Sequence, residues 1–497
     1  MWENVLVGFT NFFEPMNLAV AIAGTAIGIL FGSLPGFTAT MGVAVFVPVS
    51  YFLTPEAALL LLSGIYCGAI YGGSVSAVLL GIPGTPASMP TTFDGFYLTK
   101  QGQAGKALHL STFGSAMGGF LSSIALLLGA PVLAIFALKV GPPETMMLAF
   151  FGLSVVCMLT AENMVKGVLV GFLSLILATV GQDPVEGFPR FTYGLHEMIG
   201  GVPLVPVLIG IFSLPEIFLM IEGGAKNTVC PSVGPMAIKV SELAKHWWLT
   251  LKSSVIGIII GIIPAAGPDI GSFLCYNEAK RSSKEPEKFG KGSWEGIIAS
   301  EAGNNGVTGG SLIPLLTLSI PGSAPAAIFL GALYIHGLRP GPNLFTKHAD
   351  ITYTMLVGFM VIQILMYFIG LAFCKGACSV VKTPRSALAP MVVVLTVIGS
   401  YACDTTMFDV WVMFIAGLIG YVMVKNDLPL SPIALGLILG PMLEQALQQS
   451  LIMFHGNILL VFTRPIAVLF FLFGVVSLSW PFINKWRQSR KAAAAGE

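Results

Sequence analysis

Gly32-Ser33-Leu34-Pro35-Gly36-Phe37-Thr38-Ala39-Thr40-Met41-Gly42 has a partner 229 residues later, Gly261-Ile262-Ile263-Pro264-Ala265-Ala266-Gly267-Pro268-Asp269-Ile270-Gly271. Gly32, Pro35 and Gly42 recur as Gly261, Pro264 and Gly271. A second pair follows: Gly72-Gly73-Ser74 with Ile82-Pro83-Gly84 recurs as Gly309-Gly310-Ser311 with Ile320-Pro321-Gly322, at an offset of 237–238. Each half of the chain, 1–235 and 236–497, thus carries two helix-breaking segments in corresponding positions within apolar sequence. Matched breaks of this kind are the sequence pointer to the binding site of a secondary transporter.

Composition places the chain in a membrane. Of its 497 residues 55% are hydrophobic and 10% charged, and the mean hydropathy is +0.85; a soluble domain carries about 25% charged residues. Long apolar runs at 20-residue scale predict an all-α polytopic protein of about 10–12 crossings, and they argue against a β-barrel, whose strands alternate over about 10 residues. A net charge of +1 predicts no nucleic-acid partner. Cys374 and Cys378 stand four apart, but no second Cys/His pair completes a metal site. No basic segment opens the chain, so no cleavable signal peptide is expected.

Loop charges orient the crossings, because cytoplasmic loops are enriched in Lys and Arg. Loop 278–292 carries Lys280, Arg281, Lys284, Lys288 and Lys291, whereas its counterpart 50–57 has no basic residue. Lys375, Lys382 and Arg385 face only Lys139 in the counterpart near 139–144; Lys166 ends 161–166, whereas 402–409 has Asp404 and Asp409. Corresponding loops prefer opposite sides, as two inverted-topology repeats predict. The tail Lys485, Arg487, Arg490 and Lys491 is expected in the cytoplasm.

The breaks also carry chemistry. Proline strands a backbone carbonyl and glycine allows the turn; within a bilayer the freed groups must be buried in protein or line a polar cavity. Free N–H groups at a half-helix start suit an anion, and free carbonyls suit a bare cation. The expected substrate-binding residues are Ser33, Pro35, Gly36, Thr38, Ser74, Pro83, Gly84, Thr85, Asn304, Asn305, Ser311, Pro321, Gly322 and Ser323. Any one of these hydroxyls alone is equally read as bonding back to its own helix. Asp269, with Gly267, Thr40 and Thr308, is the expected cation site, since a carboxylate inside a membrane segment is functional by default; the competing reading makes Asp269 a helix cap. Glu301, Asn304 and Asn305 follow a loop, and the glycines from Gly303 to Gly310 predict a breakable start there.

Leu34-Pro35-Gly36, the block from Tyr71-Gly72-Gly73-Ser74 to Ile82-Pro83-Gly84 with Asp94-Gly95, the block from Glu301-Ala302-Gly303-Asn304-Asn305 to Pro321-Gly322-Ser323, and the closing Gly440-Pro441-Met442-Leu443-Glu444 resemble the large membrane subunit of the tripartite tricarboxylate transporters, the TctA family. The resemblance runs over nearly the whole chain. It implies a multi-pass protein of the bacterial inner membrane and ion-gradient-driven uptake of a carboxylate. It also implies a small four-helix membrane subunit and a periplasmic solute-binding protein as partners. Gly81, Ser319 and Phe37-Thr38-Ala39 depart from the family's usual residues at the breaks, so the expected substrate is a citrate-like di- or tricarboxylate or a related organic anion rather than citrate specifically.

The sequence therefore predicts a transporter, not an enzyme, with broken or re-entrant helices meeting at the midplane and an elevator-like motion. Sodium is the expected coupling ion, with a proton as the alternative, and no other cofactor is expected. The rivals are an uncoupled channel for organic anions and a membrane-embedded enzyme, and no nucleophile–base constellation supports the second.

Overall fold

A computed structural model of the chain describes residues 2–159, 164–184, 186–222, 233–264, 266–381, 383 and 385–494, with side chains for all of these except 156–159, 164, 385–388 and 480–494. The calls on Lys382, on the side chains of Arg385 and of the basic tail, and on 161–163 fall outside the described residues. Twenty α-helices follow in order: α1 (Trp2–Phe12), α2 (Pro15–Ser33), α3 (Ala39–Ser50), α4 (Pro55–Leu80), α5 (Met89–Lys100), α6 (Ala104–Ala137), α7 (Pro142–Leu159), α8 (Met164–Ala178), α9 (Leu204–Glu222), α10 (Val240–Ala244), α11 (Trp247–Ile262), α12 (Gly267–Ser282), α13 (Trp294–Leu318), α14 (Ala324–Ile335), α15 (Pro342–Thr346), α16 (Ala349–Val381), α17 (Arg385–Asp404), α18 (Met407–Lys425), α19 (Ser431–Met453) and α20 (Pro465–Ala494). Among the described residues six helices, α2, α4, α6, α9, α16 and α18, are long and apolar enough to cross a membrane, and α3, α11 and α14 are among the shorter apolar helices. The chain is an all-α polytopic membrane protein.

Two compact units form. One comprises Phe136–Leu204 and Val422–Glu497. There α7 packs on α19 and α20, with Phe150 stacked on Phe471 and Phe151 on Phe470. A two-stranded pairing of β1 (Gly181–Gln182) with β2 (Pro189–Arg190) closes its loop. Arg190 grips Glu444 with two bonds of 2.6 and 3.1 Å and reaches Asp183 at 3.2 Å. The Glu444 carboxylate holds the Arg190 guanidinium above its ordinary range.

The other unit, Met1–Ile135 with Val205–Tyr421, draws on both sequence halves and contains all four breaks. In it α2 and α4 are parallel: Gly24, Gly28 and Gly32 lie against the backbone of Leu61, Ile65 and Ala69. Two consecutive long helices run parallel only if the chain returns between them, and α3 is that return. It is 12 residues long, about 18 Å, against a hydrocarbon core of about 30 Å. Segment 17–53 is therefore a hairpin of one long and one short helix. The second half repeats this arrangement. Gly257 and Gly261 of α11 lie against Gly303 and Val307 of α13, and Gly271 of α12 meets the Val307 side chain. Across the halves, Tyr66 of α4 bonds to Ser311, Cys67 lies beside Thr308, and Tyr71 lies within electrostatic reach of Glu301. The numbers rise on one helix as they fall on the other, so α4 and α13 run in opposite directions.

Local chemistry sets the ends. Thr54 caps α4 through the Ala57 N–H, and Ser293 caps α13 through the Gly296 N–H; such caps satisfy donors the first turn leaves free. Gly81 and Ser319 close the same two helices in left-handed conformation, at φ 69° and 61°. The expected breakable start at Gly303–Gly310 is corrected here: α13 is one continuous, buried helix from Trp294 to Leu318. Its glycines serve close helix contacts instead, Gly303 against Cys275, Gly309 against Ser122 and Gly310 against Ile258.

Candidate functional site

At the first break the chain leaves α4 at Gly81, turns through Pro83 and comes back so that the Gly84 N–H donates to Gly73 O at 3.1 Å. At the second it leaves α13 at Ser319 and returns so that the Gly322 N–H donates to Ser311 O at 3.4 Å. Position 73 corresponds here to 311 and 84 to 322, so the pairing of Gly72-Gly73-Ser74 with Gly309-Gly310-Ser311 read from the sequence shifts by one residue in the structure, to an offset of 238. The tip of each turn rests on the other break of its own half, because a Cβ at Gly84 would strike Gly32 O and one at Gly322 would strike Gly261 O. All four breaks therefore lie in two touching pairs. In the second pair the Gly267 N–H also donates to Gly322 O, at 3.2 Å.

Several expected site residues have local duties. Thr38 caps α3 through the Met41 N–H, and Ser323 caps α14 through the Ala326 N–H. Ser33, Ser74 and Thr308 donate to Leu30 O, Tyr71 O and Asn305 O of their own helices, and Ser74 also lies 2.5 Å from Ser111. Pro35 and Gly36 form the turn into α3, with Gly36 at φ 93° beside Met220. Thr40 is half-buried. Pro83 and Pro321 sit at the tips beside Gly84 and Gly322.

Ser311 and Ser323 do meet, on the phenol of Tyr66, at 3.0 and 2.8 Å. Asp269, in the first turn of α12, is exposed, takes no side-chain part in the cap of that helix and lies within electrostatic reach of Tyr66. Asn304, Asn305 and Thr85 stand apart from the others. They are buried, yet both amide heteroatoms of each asparagine and the Thr85 Oγ1 have no hydrogen-bond partner. Unpartnered buried polar atoms are rare in folded proteins.

Sequence reasoning left three arrangements unseen. Tyr66 gave no signal as a tyrosine in an apolar run, although the 238 offset places it opposite Asn304. The buried Glu301 carboxylate accepts from Thr91 at 2.5 Å and from Ser115 at 2.6 Å; nothing in the sequence pairs those three. Asp94, buried on α5, collects the N–H groups of Gly290, Gly292 and Ser293, each at 2.8 Å, on one oxygen and the Tyr276 hydroxyl at 2.9 Å on the other. That clamp ties the segment after the first break to the loop before α13. Within this loop Lys288 is exposed, and Glu285 at 2.6 Å holds its ammonium above the ordinary lysine range.

The family model described as the tripartite tricarboxylate transporter TctA family matches residues 18–435. A protein of Agrobacterium vitis, described as an uncharacterized 52.8 kDa protein in the TAR-I ttuC' 3' region, is 32% identical over 466 residues, covering 94% of this chain and 93% of that one. A second from the same organism, described as an uncharacterized protein in the TAR-II ttuC' 3' region, is 30% identical over 234 residues, 47% of this chain and 97% of its own length. No solved structure matches the chain. With paired re-entrant breaks in an apolar helical protein and a family match over most of its length, the chain belongs to the tripartite tricarboxylate transporter TctA family.

Proposed function

We propose that this protein is the large transmembrane subunit of a binding-protein-dependent secondary transporter that imports a di- or tricarboxylate across the bacterial inner membrane. The reading is carried by one observation: two helix pairs of opposite direction, each ending in a re-entrant turn whose tip rests on a second break beside buried hydroxyls and amides. Opposed halves with backbone groups freed at matched depth support inverted repeats and alternating access, with the motif-bearing hairpins moving elevator-fashion. A small four-helix membrane subunit and a periplasmic solute-binding protein complete the system, and the energy comes from a cation gradient. Uptake of radiolabelled carboxylates into proteoliposomes holding all three components tests the reading. Uptake that needs an imposed sodium or proton gradient is expected; gradient-independent flux would make the protein a channel.

Two predictions follow from this arrangement. Ser282 and Thr405 are both exposed, and the inverted topology puts the first in the cytoplasm and the second in the periplasm. In a cysteine-free background, an impermeant maleimide on intact spheroplasts is expected to label Thr405→Cys and spare Ser282→Cys; the reverse pattern contradicts inversion. The second concerns Asp269. With no side-chain cap bond in the structure, its exposed carboxylate is available to a hard cation, which prefers carboxylate to amide oxygen. Asp269→Asn is expected to weaken apparent sodium affinity roughly tenfold, a change of about 1.4 kcal/mol, with expression unchanged. Sodium dependence like wild type removes Asp269 from the coupling site, and a lost proton dependence in its place makes it a proton carrier.

A further inference from the structure

The two breaks are alike in backbone and unlike in what fills them. The offset of 238 carries Tyr66, Ser311 and Ser323 onto Asn304, Gly73 and Thr85. At the second break the Tyr66 phenol occupies the cradle, bonded to both serines. At the first, the corresponding Asn304 has neither amide atom bonded, Asn305 beside it has neither, and Thr85 Oγ1 has no partner, although the three residues are 0%, 0% and 4% exposed.

The correspondence sets Asn304 toward Gly73 and Thr85 as Tyr66 is set toward Ser311 and Ser323, and Asn305 is its neighbour on α13. Asp94 abuts Gly296, and Thr91 bonds to Ser300 and Glu301. Continuing in that direction, the turn Pro86–Ser88 packs on α13, and Thr85 leads into it. Gly73 lets Thr85 pack close: a Cβ there would run into the Thr85 Oγ1 and sit 3.1 Å from the Ser88 Oγ. Where Ser311 offers Tyr66 a hydroxyl, Gly73 offers nothing. The bond from the Gly267 N–H to Gly322 O also has no counterpart between Thr38 and Gly84 among the described residues.

The unpartnered atoms have a definite chemistry. Two asparagines present four N–H donors and two amide oxygens, and Thr85 adds one O–H. A carboxylate accepts from the N–H and O–H groups but leaves both amide oxygens unpaired. A hydroxyl on the same molecule donates to one of them. Sites of this kind discriminate strongly against an analogue that lacks the hydroxyl, because a buried polar atom then goes unpaired. We propose that the first break alone holds the substrate, a hydroxy-carboxylate bound by Thr85, Asn304 and Asn305, while the second is filled by the chain's own Tyr66. The proposal rests on the transporter reading for the class of ligand and goes beyond it in the site and the hydroxyl.

Thermal stabilisation of the purified full-length chain in detergent tests this with two matched pairs, malate against succinate and citrate against tricarballylate. At least one hydroxy acid is expected to raise the melting temperature at a concentration tenfold or more below that of its hydroxyl-free partner. Asn304→Ala, or Asn305→Ala should the first variant fail to fold, is expected to raise that concentration at least tenfold; Tyr66→Phe is expected to change it less than threefold. Equal potency within both pairs overturns the hydroxyl assignment. Equal loss in the asparagine and tyrosine variants overturns the one-sided site. A wild-type chain that responds to none of the four acids overturns the carboxylate site itself. Gradient-driven uptake by the three-component proteoliposomes judges the transporter reading separately.

Discussion

Gly322→Ala is expected to abolish uptake and Gly84→Ala to cut it at least roughly tenfold, with both proteins still inserted in the membrane. At position 322 the added carbon would meet Gly261 O, and it would lie 2.8 Å from the Ser311 Cα and 2.9 Å from its Cβ. At position 84 it would meet Gly32 O, the Ser76 Oγ at 2.7 Å and the Gly73 Cα at 2.9 Å. Most of these neighbours are backbone, which has no rotamer to give. Overpacking of this kind costs about 1–3 kcal/mol where the surroundings relax, and relaxation here means the tip of the turn backing away from its partner break. A misplacement of about 1 Å at a working site is enough to lose about two orders of magnitude in rate. Gly376→Ala is the control, because that helical glycine is exposed and a Cβ there meets nothing within 4 Å. Uptake per inserted molecule, with insertion quantified by size-exclusion fluorescence, decides the matter. Normal uptake in Gly322→Ala would reduce the breaks to packing features.

The largest stability loss is expected from Asp94→Ala. One carboxylate oxygen gathers three backbone donors and the other a tyrosine hydroxyl. Bonds to a charged acceptor contribute about 1.5–3 kcal/mol each, and an orphaned buried donor costs about 1–3 kcal/mol. Water recovers part of this at the loop, so a net loss of about 4 kcal/mol is expected, read as a fall of several degrees in the melting temperature. Asp94→Asn keeps one acceptor oxygen for the three N–H groups and is expected to lose about half as much. A change under about 1 kcal/mol in Asp94→Ala would mean that the loop 283–293 is held by other contacts.

How much of this was legible in the sequence depends on the range of the interaction. The breaks were legible because proline and glycine act on their own backbone: Gly81-Ile82-Pro83-Gly84 and Ser319-Ile320-Pro321-Gly322 turn where they are written. The membrane class was legible because hydropathy is a sum over residues. The continuity of α13 was not, since the glycines from Gly303 to Gly310 read locally as weakness and gain their meaning from the α11 and α6 backbones against them. Nor was the shared duty of Thr91, Ser115 and Glu301, three residues on three helices. Asn304, Asn305 and Thr85 stood among the expected site residues by type and position, but their lack of partners was not legible. That Ser311 and Ser323 serve Tyr66 required knowing which helix faces α4.

The parallel glycine contacts described for α2–α4 and α11–α13 also make the chain a comparison with itself. Gly28 and Gly257, Gly32 and Gly261, Gly72 and Gly310, and Gly84 and Gly322 agree, each pair filling the same contact in its own half. Around them the halves differ: Ile65 answers to Gly303, Ala69 to Val307, Tyr66 to Asn304, Gly73 to Ser311. The first set marks positions where the backbone of a neighbouring helix leaves no room for a side chain in either half. The second marks positions where the two halves fill matching places with different side chains. A saturation mutagenesis of either half therefore has its outcome partly written in the other.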